Sequence, residues 1–331
     1  MTTYYPPSAV AAAARKRPFW LTNLLILILI AAAWPISHAA THMLAQRQYR
    51  TLNYPFDILI HIGIAIILAV SLNLINGITG QFSLGHCGFM AIGAYVCGVI
   101  AREGLPLGWM AGPALFGTLV LAGLLAAAAG VLVGVPSLRL SGDYLAIATL
   151  GFGQIIVVIL NKTESIGHFT VGGSAGLHDI PVLTNFFWTF GWALVCVVTV
   201  WRIAHCLKGK SFWAVSEDEI ASAAVGIDPT RVKVTAFVLG AFFAGVAGGL
   251  YAMWEGNLSP GSFNFMKSIE VVVMVVLGGS GSIAGSILAA AVLTWLPEQL
   301  RFMEDWRLVI YALLLISMML LRPQGLLGRK R

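Results

Sequence analysis

The stretch that decides the fold runs from residue 58 to residue 101 and reads ILIHIGIAIILAVSLNLINGITGQFSLGHCGFMAIGAYVCGVIA. These 44 residues contain no Asp, Glu, Lys or Arg. As an α-helix they would reach about 66 Å, roughly twice the thickness of the hydrocarbon core of a bilayer. A polar, glycine-rich interruption at 76–85 divides them, and such backbone inside a membrane must be satisfied by protein or water. We therefore predict two membrane crossings joined by a turn or an unwound segment.

The composition of the whole chain supports a membrane location. Hydrophobic residues make up 58% of the 331 residues and charged residues only 10%, against about 25% charged in a typical soluble domain. Lipid must therefore cover much of the outer surface. The net charge of +6 does not indicate nucleic-acid binding, because the Lys and Arg residues stand at the ends of apolar segments and carry topology information.

The apolar runs predict an all-α, polytopic integral membrane protein with about ten transmembrane segments. They cover residues 19–40, 56–75, 86–101, 109–135, 144–161, 185–206, 234–254, a broken or short pair within 268–297, and 308–321. The first run follows three basic residues and resembles a secretory signal, but its length favours a retained signal-anchor. The predicted organisation is a tail at 1–18, a transmembrane domain at 19–321 and a second tail at 322–331.

The pair within 268–297 has three possible arrangements. Residues 271–297 would span about 40 Å as one helix, which is enough for one crossing but not for two. Their centre is GGSGSIAG at 278–285, and glycine-rich breaks of this kind create non-helical backbone in transporters. Two half-helices, a re-entrant hairpin and two short spans all remain open.

Basic residues predict the orientation. With a cytoplasmic N-terminus and ten segments, 13 of the 20 Lys and Arg residues fall on the cytoplasmic side. The positive-inside rule therefore favours cytoplasmic N- and C-termini. The breaks at 77–85 and 278–285 then face the same side, which suits a duplicated architecture.

The cytoplasmic segment 207–230 is predicted to contain a short docking helix. Ser216, Glu217, Asp218 and Glu219 match a capping box, with the acids in the first turn. We expect a helix at 217–225, with an apolar face that includes Ile220, closed by Gly226. An ordinary solvated loop is the alternative interpretation.

Polar groups and glycines near the two breaks are the candidate translocation-path or hinge residues. They are Asn73, Asn76, Gln81, Ser83, Gly278, Gly279 and Gly281. The polar side chains either line the path or only satisfy backbone groups that the breaks release. His86 is expected to begin a helix, and the small residues from 88 to 98 to allow close helix packing.

Several other features are given structural interpretations. Cys87, Cys97, Cys196 and Cys206 are expected to be small buried residues rather than disulfides or metal ligands. GGSGS at 278–282 lacks the order of a phosphate-binding loop, so no catalytic residue, metal or cofactor is predicted. Glu270 stands inside an apolar run and is expected at the interface or paired with Lys267. GGSAG at 172–176 is either a flexible turn or a contact for a binding protein.

Five stretches in order along the chain carry a resemblance to a known family. They are NLINGITGQFSLGHCGFMAIGAY at 73–95, SGDYLAIATLGFG at 141–153, TVGGSAGL at 170–177, VLGGSGS at 276–282 and RPQGL at 322–326. Together with the 207–230 segment, they resemble permease subunits of high-affinity branched-chain amino-acid ABC importers, most closely the LivM type. Urea and amide permeases share the pattern. The family commonly has a basic residue where Ser216 stands.

The resemblance implies an importer built of two permeases and two ATPases. The expected partners are a LivH-type permease, two cytoplasmic ATPase subunits, a periplasmic or extracellular substrate-binding protein and the lipid of a bacterial inner membrane. It also implies that 207–230 contains the helix that couples to the ATPase, and that ATP is hydrolysed by another chain. A stand-alone secondary transporter is less favoured, since apart from Glu270 no acid, Arg or Lys lies well inside a predicted span. The scattered histidines do not favour a membrane-embedded enzyme.

Overall fold

The computed structural model describes residues 53–104, 111–137, 143–167, 169–299, 316 and 325–327. The predicted segment at 19–40, nearly all of that at 308–321 and most of both tails lie outside these residues.

α-Helices account for most of the described chain. They are α1 (Asn53–Asn73), α2 (His86–Gly104), α3 (Ala111–Ser137), α4 (Asp143–Lys162), α5 (Phe186–His205), α6 (Gly209–Glu217), α7 (Glu219–Ala224), α8 (Pro229–Glu255), α9 (Phe265–Gly278) and α10 (Ile283–Gln299). A π-helical turn, Leu74–Ile78, extends α1. The strands in the described residues are two short ones, β1 (Ser165–Ile166) and β2 (Phe169–Thr170), which form an antiparallel hairpin.

The long helices have the length and apolar character of membrane spans. Seven stretches of the described chain qualify, namely Phe56–Ile78, His86–Gly104, Gly112–Ser137, Tyr144–Lys162, Phe186–His205, Pro229–Glu255 and Pro260–Gly278. Large apolar side chains such as Leu132 and Ile147 are exposed on their outer faces, where lipid would cover them. The predicted all-α polytopic membrane fold is confirmed.

Helix α8 lies at the centre of the bundle, where small residues let neighbouring helices approach closely. A Cβ atom on Gly93 of α2 would overlap the carbonyl oxygen of Gly245 in α8. The rings of Phe89 and Phe237 pack edge to face, with centroids 5.4 Å apart. The predicted close packing along α2 is therefore confirmed, because no larger residue fits at such a crossing.

The predicted break in the last described pair is also confirmed. Helix α9 ends at Gly278 and α10 begins at Ile283. Their lengths of 14 and 17 residues correspond to about 21 Å and 26 Å, each shorter than the roughly 30 Å hydrocarbon core. Gly285 contacts Gly278 so closely that a Cβ atom on Gly285 would overlap the Gly278 carbonyl. The segment is therefore two short helices packed together at their connecting turn, and not one continuous span.

The segment between α4 and α5 is held by backbone hydrogen bonds rather than being a free turn. Leu177 and Leu258 exchange two of them, at 2.9 Å and 2.8 Å, and the Ile180 amide donates to the Gly256 carbonyl at 3.0 Å. The segment is thus fixed to the connection that follows α8.

The cysteine prediction is correct for three residues. Cys87, Cys97 and Cys196 are buried free thiols. It is wrong for Cys206, which is exposed where the chain leaves α5.

Candidate coupling site and transport cavity

The 207–230 segment folds into two helices, α6 and α7, and its cap differs from the prediction. Ser216 is not an N-cap. Its hydroxyl donates to the Trp213 carbonyl within α6 at 2.8 Å, so the predicted capping box is wrong. Asp218 is extended and caps α7 instead, since its carboxylate accepts from the Ile220 and Ala221 amides at 2.8 Å and 2.9 Å.

The helix in this segment is shorter than predicted, and its apolar residues face outward. Helix α7 covers Glu219–Ala224 rather than 217–225. Ile220 is 84% exposed and Val225 is 76% exposed. Gly226 follows in a left-handed conformation with φ of 86°, in agreement with the predicted C-terminal cap. An ion pair between Glu219 and Lys233 of α8 ties α7 to the bundle.

The opposite face of this segment packs on the membrane helices. Phe212 and Val215 of α6 are buried. The Trp213 ring lies against Gly281, and Ser216 lies against Gly80. Helix α6 therefore contacts both glycine-rich breaks, which explains why the helix continues through Ser216 instead of starting there.

Polar side chains of the first break form hydrogen bonds within it and to α8. The Asn76 carbonyl oxygen Oδ1 accepts from the Ser83 amide at 3.2 Å. Gln81 donates from Nε2 to the Thr79 hydroxyl at 3.0 Å and to the Lys233 carbonyl at 3.3 Å. The Asn76 contact pairs one backbone amide of the break, while Asn76 Nδ2, Gln81 Oε1 and Ser83 Oγ are buried without a hydrogen-bond partner among the described residues.

Asn73 joins the two breaks directly. Its Oδ1 accepts from the Gly281 amide at 2.9 Å, across 208 residues of sequence. Asn73 is fully buried, and a Cβ atom on Gly77 would overlap the Gly281 amide nitrogen. Gly278 and Gly279 belong to the same turn as Gly281. The structure thus gathers the predicted path or hinge residues into one cluster, on the same side as 207–230.

His86 begins α2 as predicted. Its Nε2 atom lies 2.9 Å from the hydroxyl of Ser71 on α1. This contact fixes the chain where it re-enters the bundle after the first break.

A cavity at the opposite end of the helices was not predicted. It has a volume of about 310 Å³ and lies among α1, α2, α8, α9 and α10. Its polar lining includes Asp57, His61, Lys267, Glu270 and Glu298. Lys267 pairs with Glu270 at 2.9 Å, which confirms one of the two expectations for Glu270. Asp57, His61 and Glu270 inside predicted apolar runs, with Lys267 and Glu298 at the ends of the run that contains Glu270, were the available signal. Sequence alone does not show that five helices bring these residues together.

The fold is that of a multi-pass membrane protein, and the family match places it in the transport-permease class. Residues 54–319 match the family described as branched-chain amino acid transport system / permease component. The chain belongs to this family. Permeases of this family are not enzymes, and ATP is hydrolysed in separate subunits of the transporter.

Individual relatives refine the comparison. The chain is 37% identical to the high-affinity branched-chain amino acid transport system permease protein LivM of Salmonella typhimurium, over 93% of this chain and 75% of the relative. Identity and coverage are the same for LivM of Escherichia coli K12. LivH of Escherichia coli K12 is 27% identical over 80% of this chain and 91% of the relative. Similarity to both kinds of permease implies a transporter with a second permease subunit. No solved structure matches the chain significantly.

Proposed function

We propose that this chain is the LivM-type permease subunit of an importer that moves branched-chain amino acids into the cell with energy from ATP. It acts with a LivH-type permease, two cytoplasmic ATPase subunits and a soluble binding protein. The 207–230 segment faces the cytoplasm and receives the motion of the ATPase. The observation that carries this proposal is that α6 and α7 connect an exposed apolar surface to both breaks in the membrane helices.

The exposed surface is suited to a soluble partner. Ile220 and Val225 are large apolar side chains with at least three quarters of their area in solvent. They stand beside the acids Glu217 and Asp218. An apolar centre with a charged rim is typical of protein interfaces.

The contacts beneath this surface support transmission of force. Helix α6 follows the exposed end of α5 and lies directly before α7, so a push on α7 moves α6. Trp213 and Ser216 of α6 then press on Gly281 and Gly80. Because packed helices shift between discrete arrangements rather than deforming continuously, contacts at breaks are suitable points for switching.

The test removes the apolar centre without disturbing the fold. Ile220→Asp and Val225→Asp change exposed side chains, so the permease should still insert and assemble with its partner permease. ATPase co-purification and ATP-driven leucine uptake should fall together. Val182→Asp, at an exposed residue on the opposite side, is the matched control and should leave ATPase binding intact. If Ile220→Asp and Val225→Asp both show normal ATPase binding and uptake, the 207–230 segment is a passive linker and not the coupling element.

A further inference from the structure

We propose that the cavity lined by Asp57, His61, Lys267, Glu270 and Glu298 is a binding site within the permease for a zwitterionic α-amino acid with an aliphatic side chain. This inference rests on the proposed function and adds a site to it. The volume of about 310 Å³ is within the range of small-molecule sites.

The charges of the cavity match both ends of an amino acid. Lys267 supplies an ammonium group for the ligand carboxylate, and the carboxyl groups of Asp57 and Glu270 can receive the ligand ammonium. The Lys267 and Glu270 side chains are 39% and 33% exposed although they pair with each other. Both therefore keep surface open to the cavity.

The remaining lining matches an aliphatic side chain. It consists of Ile58, Ile64, Ala65, Leu68, Met90, Val271 and Met274, with Tyr251 and Thr294. On α1 the lining residues run from Asp57 to Leu68, 11 residues or about 16 Å deep. A cavity with charges and an extended apolar wall suits leucine, isoleucine or valine better than urea, which has neither a net charge at either end nor an apolar part.

Helix α9 connects this cavity to the coupling cluster. Lys267 and Glu270 lie near its beginning, and Gly278 ends it at the break. The distance from Lys267 to Gly278 is 11 residues, or about 16 Å. Since Trp213 presses on Gly281 just beyond this end, a shift of α6 can alter the position of the residues that hold the ligand. The site can thereby release its ligand in step with ATP hydrolysis.

Protection of an introduced cysteine tests the site directly. Thr294→Cys places a partly exposed thiol on the cavity wall, in a Cys206→Ser background that removes the exposed native thiol. The assembled complex is treated with methyl methanethiosulfonate without ATP, and modification is followed by mass spectrometry. Leucine at ten times its Kd should slow modification roughly 11-fold, since protection scales as one plus concentration over Kd. At the same concentration, isoamylamine, 4-methylpentanoate and urea should each slow it less than twofold.

Variants of the ion pair separate ligand binding from folding. Glu270→Gln should raise the leucine concentration needed for protection by roughly 10- to 150-fold, the effect of one charge-assisted hydrogen bond. The double variant Lys267→Gln with Glu270→Gln removes both members of the ion pair, so neither charge is left unpaired, and it should assemble but lose protection. Glu103→Gln, at an exposed carboxylate outside the cavity, is the matched control.

Two results would overturn the proposal. One is equal protection by urea and leucine, and the other is unchanged modification with saturating leucine. Leucine uptake by the wild-type complex tests the proposed function separately, because protection is measured without transport. If leucine is taken up but does not protect the introduced cysteine, the cavity is not a leucine site, while the importer function still holds.

Discussion

Replacing Gly281 with alanine is expected to damage the contact between α6 and the second break. Gly281 has φ of 83°, a left-handed conformation that costs an L-residue about 1–2 kcal/mol. A Cβ atom would also lie 2.7 Å from Cη2 and 3.1 Å from Cζ3 of Trp213. Overpacking of this kind adds about 1–3 kcal/mol. The expected total is therefore about 2–5 kcal/mol of destabilisation, concentrated where α6 touches the membrane helices.

A second substitution separates the two contributions. Trp213→Phe removes the two ring atoms that meet the new methyl group, so it should relieve the overpacking and leave the backbone strain. Gly167→Ala is the matched control for strain alone, since Gly167 has φ of 64° with no described atom within 4 Å of a Cβ. Trp213→Phe alone should be mildly destabilising, because it leaves unfilled space.

The assay combines stability with transport. The thermal unfolding midpoint of each purified complex is measured, and ATP-driven leucine uptake in proteoliposomes is measured beside ATP hydrolysis. Gly281→Ala should lower uptake per ATP more than Gly167→Ala does, and Trp213→Phe should recover part of the loss in the Gly281→Ala background. The reasoning is refuted if the double variant is no better than Gly281→Ala, or if the two alanine variants are equally stable.

Three further outcomes are expected. Asp218→Ala should lower the stability by about 0.5–2 kcal/mol because it removes the cap of α7, while Asp218→Asn should keep most of that stability, since Asn also caps well. An equal loss of stability in both variants would show that the charge of Asp218, not its capping, matters. Gly93→Ala should prevent correct packing of α2 on α8 and so lower the yield of folded complex. Gly151→Ala, at a glycine with open space around it, should leave the yield unchanged. A normal yield for Gly93→Ala would contradict the close approach of α2 to α8. Native Cys206 should resist an impermeant maleimide in intact cells and react in inside-out vesicles, with Cys206→Ser as control; labelling in intact cells would reverse the topology.

Local features of the fold could be predicted from sequence. Membrane spans can be recognised because each is a run of consecutive apolar residues long enough to cross the bilayer. The long helices between residues 56 and 254 follow the predicted runs, with ends shifted by a few residues. The break at 279–282 is encoded by Gly279 and Gly281, which adopt positive φ. The Lys267–Glu270 pair was also within reach, since residues three apart on a helix face the same side.

The cap of α7 shows where local signals mislead. Ser216 followed by acids is a good cap sequence, but Phe212 and Val215 bury the face of α6 and Ser216 packs on Gly80. Burial of that face keeps Ser216 helical, so the cap moves to Asp218, the next residue able to accept from the first free amides. Tertiary packing outweighs a capping preference of about 1 kcal/mol.

Repeated membrane crossing, the positions of the breaks and the family could all be predicted from the sequence, because each depends on residues that are close along the chain or on their order. The packed structure was needed to show that Asn73 accepts a hydrogen bond from Gly281 across 208 residues, that α6 contacts both breaks, and that residues of five helices line a charged cavity around Lys267. Contacts between distant residues depend on how helices pack, and a buried amide or carboxylate leaves no mark in the sequence to show which partner it will meet.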